Sequence, residues 1–226
     1  MKDNGYKNLW VMSGIVLALM LALSFWGWNQ IPAGAEVPVH FDINGNPDRY
    51  GSPFWAMFSI PIVTLFVVLL IAFIPVLEPR KENLKLSGRA YKVTWGALLL
   101  FMGGLHATLL LATLQIGRPD LINVFLPLGM GGLFIVLGNM MGKVRSNFMF
   151  GIRTPWTLSS ELSWNKTHRL GGRMMMGVGF LTVLTALFLP MSWVIGLMTA
   201  GLFLMLIVTL VYSWMIYKDD PEVLQA

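Results

Sequence analysis

Six long apolar segments constrain this chain more than any other feature of its sequence. Each is long enough to cross about 30 Å of hydrocarbon as a helix, which rises about 1.5 Å per residue. A lone strand in lipid would leave its backbone donors and acceptors unpaired, so helices are the expected solution. The sequence therefore predicts an all-α integral membrane protein, a polytopic bundle of six transmembrane helices at residues 9–28, 54–77, 93–114, 121–141, about 171–189 and 191–217.

The composition supports lipid as the solvent. The 226 residues are 56% hydrophobic and only 12% charged, and the mean hydropathy is +0.67. A soluble core of this size cannot hide so much apolar surface from water. Cysteine is absent, which excludes disulfides and thiolate metal sites. Ala33-Gly34-Ala35 resembles a signal-peptidase site, but the apolar run before it is longer than a signal segment, so we expect a retained anchor.

The basic residues indicate on which side of the membrane each connection lies. Of the 16 lysines and arginines, 14 lie before the first span, in the second and fourth connections, or after the last span; the exceptions are Arg49 and Arg118. By the positive-inside rule, this asymmetry predicts N-in and C-in topology. The net charge of +5 thus reflects topology, and no direct nucleic-acid partner is expected. The second connection, 78–92, is interpreted as a topology anchor beside anionic lipid.

Two connections are predicted to be ordered. The outer loop, 29–53, is rich in Pro, Gly, Asn and Asp, and its alternation of Val37, Val39 and Phe41 predicts a short extended stretch that leads into tight turns. The inner loop, 142–172, contains Ser159 and Ser160, either of which could cap a helix that opens at Glu161. Glu161, Trp164 and His168 would share one face of that helix. Gly138 and Gly142 form a small-xxx-small pair that permits close helix approach.

Candidate chemistry outside these loops is sparse. His106 lies within the third span, where an ionisable group is a functional hypothesis by default, although a neutral imidazole bonded to Asn139, Asn123 or a threonine is the simpler interpretation. His40, Asp42 and Asp48 form a weak candidate for a metal site, against the alternative that the carboxylates cap turns. The sequence shows no nucleophile with a base and an orienting acid, so no enzyme activity and no cofactor are predicted.

The residues from Gly138 to Gly172, called here the signature segment, include the runs GKVR, GIRTPWTLS and KTHR. With these runs the segment closely resembles the signature of the SdpI family of bacterial membrane immunity proteins, departing from it at Ser146, where proline is common. The candidate docking residues are Asn139, Gly142, Lys143, Arg145, Asn147, Arg153, Thr154, Pro155, Trp156, Glu161, Trp164, Lys166, Thr167, His168 and Arg169.

The outer loop carries a second resemblance. Its residues Pro38, His40, Phe41, Asp42, Gly45, Asp48 and Gly51 are the outer candidates. The stretch that holds them is similar to a domain of unknown function that often precedes the SdpI signature. The two resemblances predict an N-terminal unit of two spans, 1–78, and a C-terminal SdpI-like unit of four spans, 79–226.

The resemblance implies a multi-pass protein of the bacterial plasma membrane that protects a cell against a secreted antimicrobial peptide. It further implies signalling through a cytoplasmic transcriptional repressor held at the membrane. The implied partners are membrane lipid, a peptide toxin on the outer side and a repressor on the inner side. Arginine and tryptophan are favoured anchors for protein docking, which suits such a role. For any single residue, closing the inner end of the bundle is an equal alternative.

Two other functions are weighed against immunity. A transporter or exporter would use His106 and Asn139 to line a polar path between helices. A metal-dependent membrane enzyme would use His40, Asp42 and Asp48. We rank both below an immunity or receptor-type binding protein, and the enzyme last.

Overall fold

The computed structural model describes residues 4–118 and 120–225. Within these ranges the regular secondary structure is helical apart from one small β-hairpin. The elements in order are α1 Asn4–Trp28, β1 Val37–Phe41, β2 Pro47–Gly51, α2 Pro53–Leu77, α3 Lys81–Leu86, α4 Gly88–Thr113, α5 Leu121–Met141, α6 Pro155–Ser159, α7 Glu161–Ala186, α8 Met191–Lys218 and α9 Pro221–Leu224. A long helix is thus present at each predicted segment, with ends that differ by up to five residues except in α7, which begins at Glu161, about ten residues before the predicted span and where a helix was predicted to open.

The six long helices alternate in direction along the chain, so that α1 and α4 run parallel where they are in contact. Trp10 near the start of α1 packs on Trp95 near the start of α4, with ring centroids 5.7 Å apart, and Gly27 near the end of α1 lies against Leu110. Helix α2 runs the other way, because Tyr91 of α4 donates its hydroxyl to the carbonyl of Ile71, late in α2. Helices α5, α7 and α8 continue the alternation.

The alternation gives the bundle two ends. We call the end at which α1 begins and α8 ends the signature end; it holds residues 78–87, 142–160 and 219–225. The opposite end is the hairpin end, with the outer loop 29–53, the α4–α5 connection 114–120 and the α7–α8 connection 187–190. At the hairpin end, the α4–α5 and α7–α8 connections are short and only the outer loop is long. The signature end holds two longer connections.

Five of the six long helices are long and apolar enough to cross a membrane: Lys7–Trp28, Pro53–Leu77, Gly88–Thr113, Leu121–Met141 and Met191–Lys218. Helix α7 is as long as the others, at 26 residues, but is not among them. Its first half carries Glu161, Lys166, Arg169 and Arg173, and its apolar half ends at Ala186, three residues short of the predicted span. The apolar part alone is shorter than the roughly 17 residues that a span needs.

Helices α5 and α7 approach closely along glycines. A Cβ on Gly172 would lie 2.6 Å from the carbonyl oxygen of Gly138, and one on Gly179 would lie 2.6 Å from that of Gly131. Only hydrogen at these positions allows the two backbones to touch. The close approach predicted at Gly138 is therefore present, while Gly142 makes a looser contact with Arg169.

The outer loop contains the expected extended stretch, which pairs with a second strand to form the antiparallel hairpin β1–β2. The Asp42 carboxylate accepts hydrogen bonds from the backbone N–H groups of Asn44 and Asn46 at 2.9 and 2.8 Å. These bonds, first that from Asn46, lower the pKa of Asp42. Gly45 adopts φ +79°, and a Cβ there would overlap the side chain of Asn123 at the start of α5. The hairpin tip is therefore held against the bundle.

His106 is buried where α4 meets α1, and its partners differ from those predicted. Its Nε2 lies 3.0 Å from the carbonyl oxygen of Met20 and 3.2 Å from Oγ of Ser24. Ser24 in turn donates to the carbonyl oxygen of Met57, at 2.6 Å. The expected partners Asn139, Asn123 and threonine were wrong, because α1 lies nearer to this face of α4 than α5 does. His106 thus ties three helices together.

Candidate functional site

The signature segment begins as a turn ordered by one amide. Asn147 is fully buried; its Nδ2 donates to the carbonyl of Arg145 at 2.9 Å, and its Oδ1 accepts from the backbone N–H groups of Met149 and Phe150 at 2.9 and 2.8 Å. An amide can donate and accept at once, which neither a carboxylate nor an alkyl side chain can do. Asn147 therefore fixes the path of the chain after α5.

Trp164 and His168 form the buried centre of the segment. Trp164 donates its indole N–H to the carbonyl oxygen of Val144 at 2.8 Å, and its ring stacks on His168 with centroids 4.0 Å apart. The backbone N–H of Ile152 donates to Nε2 of His168 at 3.0 Å, and Nδ1 lies 2.9 Å from the Trp164 carbonyl oxygen. A backbone amide only donates and a carbonyl only accepts, so His168 is neutral with its proton on Nδ1.

The environment of His168 disfavours its charged form. The residue lies outside the predicted span and is 1% exposed, and burial lowers its pKa to about 4 despite the hydrogen bond to Trp164. Gly151 makes this geometry possible, since it adopts φ +114° and a Cβ there would collide with Nε2 of His168. Both ring nitrogens are occupied, so His168 offers no free lone pair to a metal or a substrate.

The connection 78–92 takes part in this site, contrary to its interpretation as a topology anchor without further chemistry. Glu78 is fully buried and accepts from the backbone N–H groups of Arg80 and Phe148, at 2.8 and 2.9 Å. Asn83 donates to the carbonyl of Ser146 at 2.8 Å, and Ser87 accepts from the N–H of Arg145 at 2.9 Å. Glu78, Asn83 and Ser87 thus form hydrogen bonds with backbone groups of the signature segment, which lies more than 50 positions further along the chain.

Arg80 joins the two connections. Its guanidinium donates to the hydroxyl of Ser146 and, at 3.1 Å, to the carbonyl of Leu158, and it lies 4.5 Å from the centroid of the Phe148 ring. Ser146 is the position at which the resemblance to the SdpI signature led us to expect proline, and here its hydroxyl serves as an acceptor for Arg80. Serine at this position thus has a structural role in this chain.

Helix α6 and the start of α7 are tied to the C-terminal end of the chain. Thr154 and Thr157 form a reciprocal cap at α6, and Thr154 also donates to the hydroxyl of Ser213 on α8 at 3.0 Å. Ser160 caps α7 as predicted, accepting from the N–H of Ser163 at 2.9 Å. Its hydroxyl also bonds to the buried carboxylate of Asp220. The segment is therefore clamped between α3, α5 and the end of α8.

The predicted docking residues divide into a buried set and an exposed set. The buried ones are Asn147, Thr154, Trp164, Thr167 and His168, and the hydroxyl of Thr167 has no partner among the described residues. Trp156 is partly buried. The exposed ones are Asn139, Gly142, Lys143, Arg145, Arg153, Pro155, Glu161, Lys166 and Arg169. Glu161 was expected to share a face with Trp164 and His168, but it turns to solvent at the first position of α7.

The exposed set forms a cationic surface. Arg153 donates to the carbonyl of Met149 at 3.1 Å, and no ion pair among the described residues involves Lys143, Arg145, Arg153, Lys166 or Arg169. The same end of the bundle carries the partly buried ring of Trp156 and the half-exposed ring of Phe148. A bundle end that carries both unpaired cations and accessible aromatic rings can bind a partner with acidic groups or anionic lipid, by charge and by contact area.

The outer candidates lie at the hairpin end and serve the hairpin itself. His40 Nδ1 lies 2.6 Å from Oδ1 of Asp48. The carboxylate of Asp42 instead accepts the backbone N–H groups of the turn in which it lies. Pro38, Phe41 and Gly51 are strand residues. The described residues contain no group of three His, Cys, Asp or Glu side chains that could hold a metal ion. The weak metal candidate His40, Asp42 and Asp48 therefore has only two of its donors together.

Sequence reasoning missed the residues that bind the signature segment from elsewhere: Glu78, Arg80, Asn83, Ser87, Ser213 and Asp220. A carboxylate directly after an apolar span, as at Glu78, was the one available signal, because such a group needs donors if it is buried. No local pattern marked Ser213, which lies in an apolar helix. The two residues that a transporter was expected to use do not meet: His106 bonds to α1, and Asn139 is exposed on α5.

Comparison with known proteins confirms the resemblances. Residues 143–213 match the SdpI/YfhL protein family, and residues 15–65 match the domain of unknown function DUF1648. The immunity protein SdpI of Bacillus subtilis (strain 168) is 26% identical over 210 residues, which cover 92% of this chain and 95% of that protein. The first match contains the turn, α6, α7 and most of α8, and the second contains the hairpin. No solved structure shows a significant match.

Proposed function

We propose, from its similarity to the SdpI family, that this membrane protein confers immunity on a bacterial cell against a secreted antimicrobial peptide. The observation that carries the proposal is the similarity to an immunity protein over nearly the whole of both chains. A relative that matches end to end shares the loops at both ends of the bundle as well as its spans. No catalytic activity is proposed.

The proposed topology has six spans, with α7 as the fifth in chain order and both termini in the cytoplasm of the plasma membrane. Support comes from the alternation of helix directions, from the length of α7, and from the cations at the signature end. The polar half of α7 then lies at the inner interface, where its arginines reach lipid headgroups. The division into units 1–78 and 79–226 stays a prediction.

The side of the membrane on which each end lies can be tested by cysteine labelling, because the chain has no cysteine of its own that would react. In intact cells, a membrane-impermeant maleimide should label an Ile43→Cys variant at the hairpin tip and leave Lys166→Cys unlabelled. Both positions are solvent-exposed in the fold, so burial does not bias the comparison. Labelling of Lys166→Cys in intact cells would show that the signature end lies outside the cell, which contradicts the proposed topology and a cytoplasmic role for that end.

Within this function, we propose that the exposed cations and Trp156 at the signature end form the docking surface for a cytoplasmic partner, such as a transcriptional repressor. The buried residues of the segment would hold this surface in place. The support is the contrast between a centre in which nearly all polar atoms are hydrogen-bonded and a rim of cations without ion pairs among the described residues.

Immunity is tested in Bacillus subtilis cells deprived of their own SdpI and exposed to medium conditioned by the parent strain. Expression of this chain should restore survival, and Arg153→Ala or Trp156→Ala should lower it about tenfold at unchanged protein level, as for anchor residues. Matched controls are Arg89→Ala, an exposed arginine outside the segment, and Trp193→Ala, an exposed tryptophan at the other end. Equal survival with and without the wild-type chain would refute immunity against this peptide.

A further inference from the structure

A cleft of about 630 Å³ opens at the hairpin end, between the β-hairpin and the turn that joins α4 to α5. Its volume falls within the range of about 300–1,000 Å³ that is usual for ligand sites. Phe41 and Tyr50 form part of the hairpin wall, and Leu111 and Ile116 form part of the opposite wall. Nothing in the hydrogen bonding of the signature segment involves this cleft, which lies at the other end of the bundle.

Both walls of the cleft are held in place. The tip of the hairpin is ordered by the two bonds that Asp42 accepts, and Gly45 packs against Asn123 on α5. The opposite wall turns through Gln115 at φ 55° and Gly117 at φ 85°. A left-handed backbone is unfavourable for glutamine, so the surrounding fold imposes this turn. The cleft is therefore lined by a hairpin and a turn of defined backbone geometry.

The charge at this end of the bundle is negative, in contrast to the signature end. The connections 29–53 and 114–120 hold four carboxylates, Glu36, Asp42, Asp48 and Asp120, against two guanidinium groups, Arg49 and Arg118. Arg118 is neutralised by Asp120 through two bonds of 3.0 and 2.7 Å, and Asp48 faces His40. Glu36, at the cleft, takes part in no ion pair among the described residues.

We propose that this cleft binds a segment of a secreted cationic amphipathic peptide, with apolar side chains between Tyr50 and Ile116 and a basic group at Glu36. The proposal rests on the proposed immunity function and names the surface at which the toxin is held. Peptides that attack membranes combine lysine or arginine with an apolar face, which suits a half-apolar cleft with one unpaired carboxylate. Aromatic rings such as Phe41 and Tyr50 give large contact area to the apolar face.

The proposal is tested by thiol protection on the purified chain in phosphatidylcholine discs, with a synthetic amphipathic peptide of leucine and lysine as the probe. Ala112→Cys lies in one wall of the cleft and Pro47→Cys in the other, at positions that the proposal gives no contact with the peptide, whereas Ile43→Cys is exposed at the hairpin tip outside it. Saturating peptide should slow maleimide labelling of the two cleft variants about fivefold, as expected when a ligand covers most of a site. Labelling of Ile43→Cys should not change.

The carboxylate is tested in the Ala112→Cys background. Glu36→Gln should raise the peptide concentration that gives half protection about two- to fivefold, the effect of one partly exposed ion pair. Asp219→Asn, an exposed carboxylate at the signature end, should leave it unchanged. Equal slowing at all three thiols, or none at the cleft, overturns the proposal. The cell-survival experiment tests immunity separately. If the chain restores cell survival but the peptide does not slow labelling of the cleft thiols, the cleft is refuted and immunity stands. If the peptide slows labelling of the cleft thiols but the chain does not restore survival, immunity is refuted and peptide binding at the cleft stands.

Discussion

Trp164 and His168, one helical turn apart on α7, stack with their ring centroids 4.0 Å apart and planes inclined by 19°. The stack is buried, and its hydrogen bonds reach Val144 and Ile152 on the connection that precedes α7. The same two side chains therefore pack the start of α7 and order the loop before it. This arrangement makes the stability of the signature end depend on pH.

The protein should become less stable as pH falls from about 6.5. The folded pKa of His168 is about 4 and its ordinary value is 6.5, so between these values the unfolded chain binds a proton that the folded chain does not. The loss should reach about 2 kcal/mol at pH 5, at about 1.4 kcal/mol per pH unit. Thermal unfolding in detergent at pH 7 and pH 5 measures it. The pH slope should shrink in His168→Gln and persist in His40→Gln; an unchanged slope in His168→Gln contradicts the assignment.

The α5–α7 contact should be sensitive to a single methyl group. In Gly172→Ala the new Cβ would lie 2.6 Å from the carbonyl oxygen of Gly138, so the helices must separate, at a cost of about 1–3 kcal/mol. Gly177→Ala is the matched control on the same helix, since no atom lies within 4 Å of its Cβ position. That variant should gain up to about 1 kcal/mol from helix propensity. Similar melting temperatures for the two variants would argue against the close contact.

Loss of the buried carboxylate of Glu78 should loosen the turn after α5. Glu78→Ala leaves the backbone N–H groups of Arg80 and Phe148 without their acceptor, at a cost of about 1–3 kcal/mol for each group that stays buried. Glu82→Ala, nearby and largely exposed in its pair with Lys85, should cost less than about 1 kcal/mol. Limited proteolysis between residues 142 and 160 reports the loosening, and resistance equal to that of wild type would show that Glu78 does not order the turn.

Asp220 should anchor the start of α7 from the far end of the chain. Asp220→Ala removes the acceptor of the Ser160 hydroxyl and of the Glu222 N–H, so we expect a loss of about 1–3 kcal/mol and faster proteolysis near Ser160. Asp219→Ala changes the exposed neighbour and should be close to neutral. If both variants behave alike, the C-terminal carboxylate has no anchoring role.

Several features of this protein followed from its sequence alone. Apolar runs long enough for a membrane predicted the long helices, since only a helix satisfies its own backbone in lipid. Ser159 or Ser160 was predicted as a cap because a hydroxyl before a helical run can accept the first free N–H groups, and Ser160 is the one that does so. The alternation of Val37, Val39 and Phe41 predicted a strand, and the signature segment pointed to the SdpI family. All of these signals are local, within a few residues of each other.

Only the tertiary structure decided which polar residues form the site and which merely lie near it. Glu78 reaches Phe148 and Ser160 reaches Asp220 across 70 and 60 positions, distances at which no local pattern exists. His106 found its partners on α1 because helix packing, rather than spacing, selects the neighbour. Glu161 and Trp164 share a helix but differ in burial, because the bundle covers the side of α7 on which Trp164 lies and leaves its first position in solvent. Local chemistry determines the elements, and the packing of distant elements determines which buried groups need a partner.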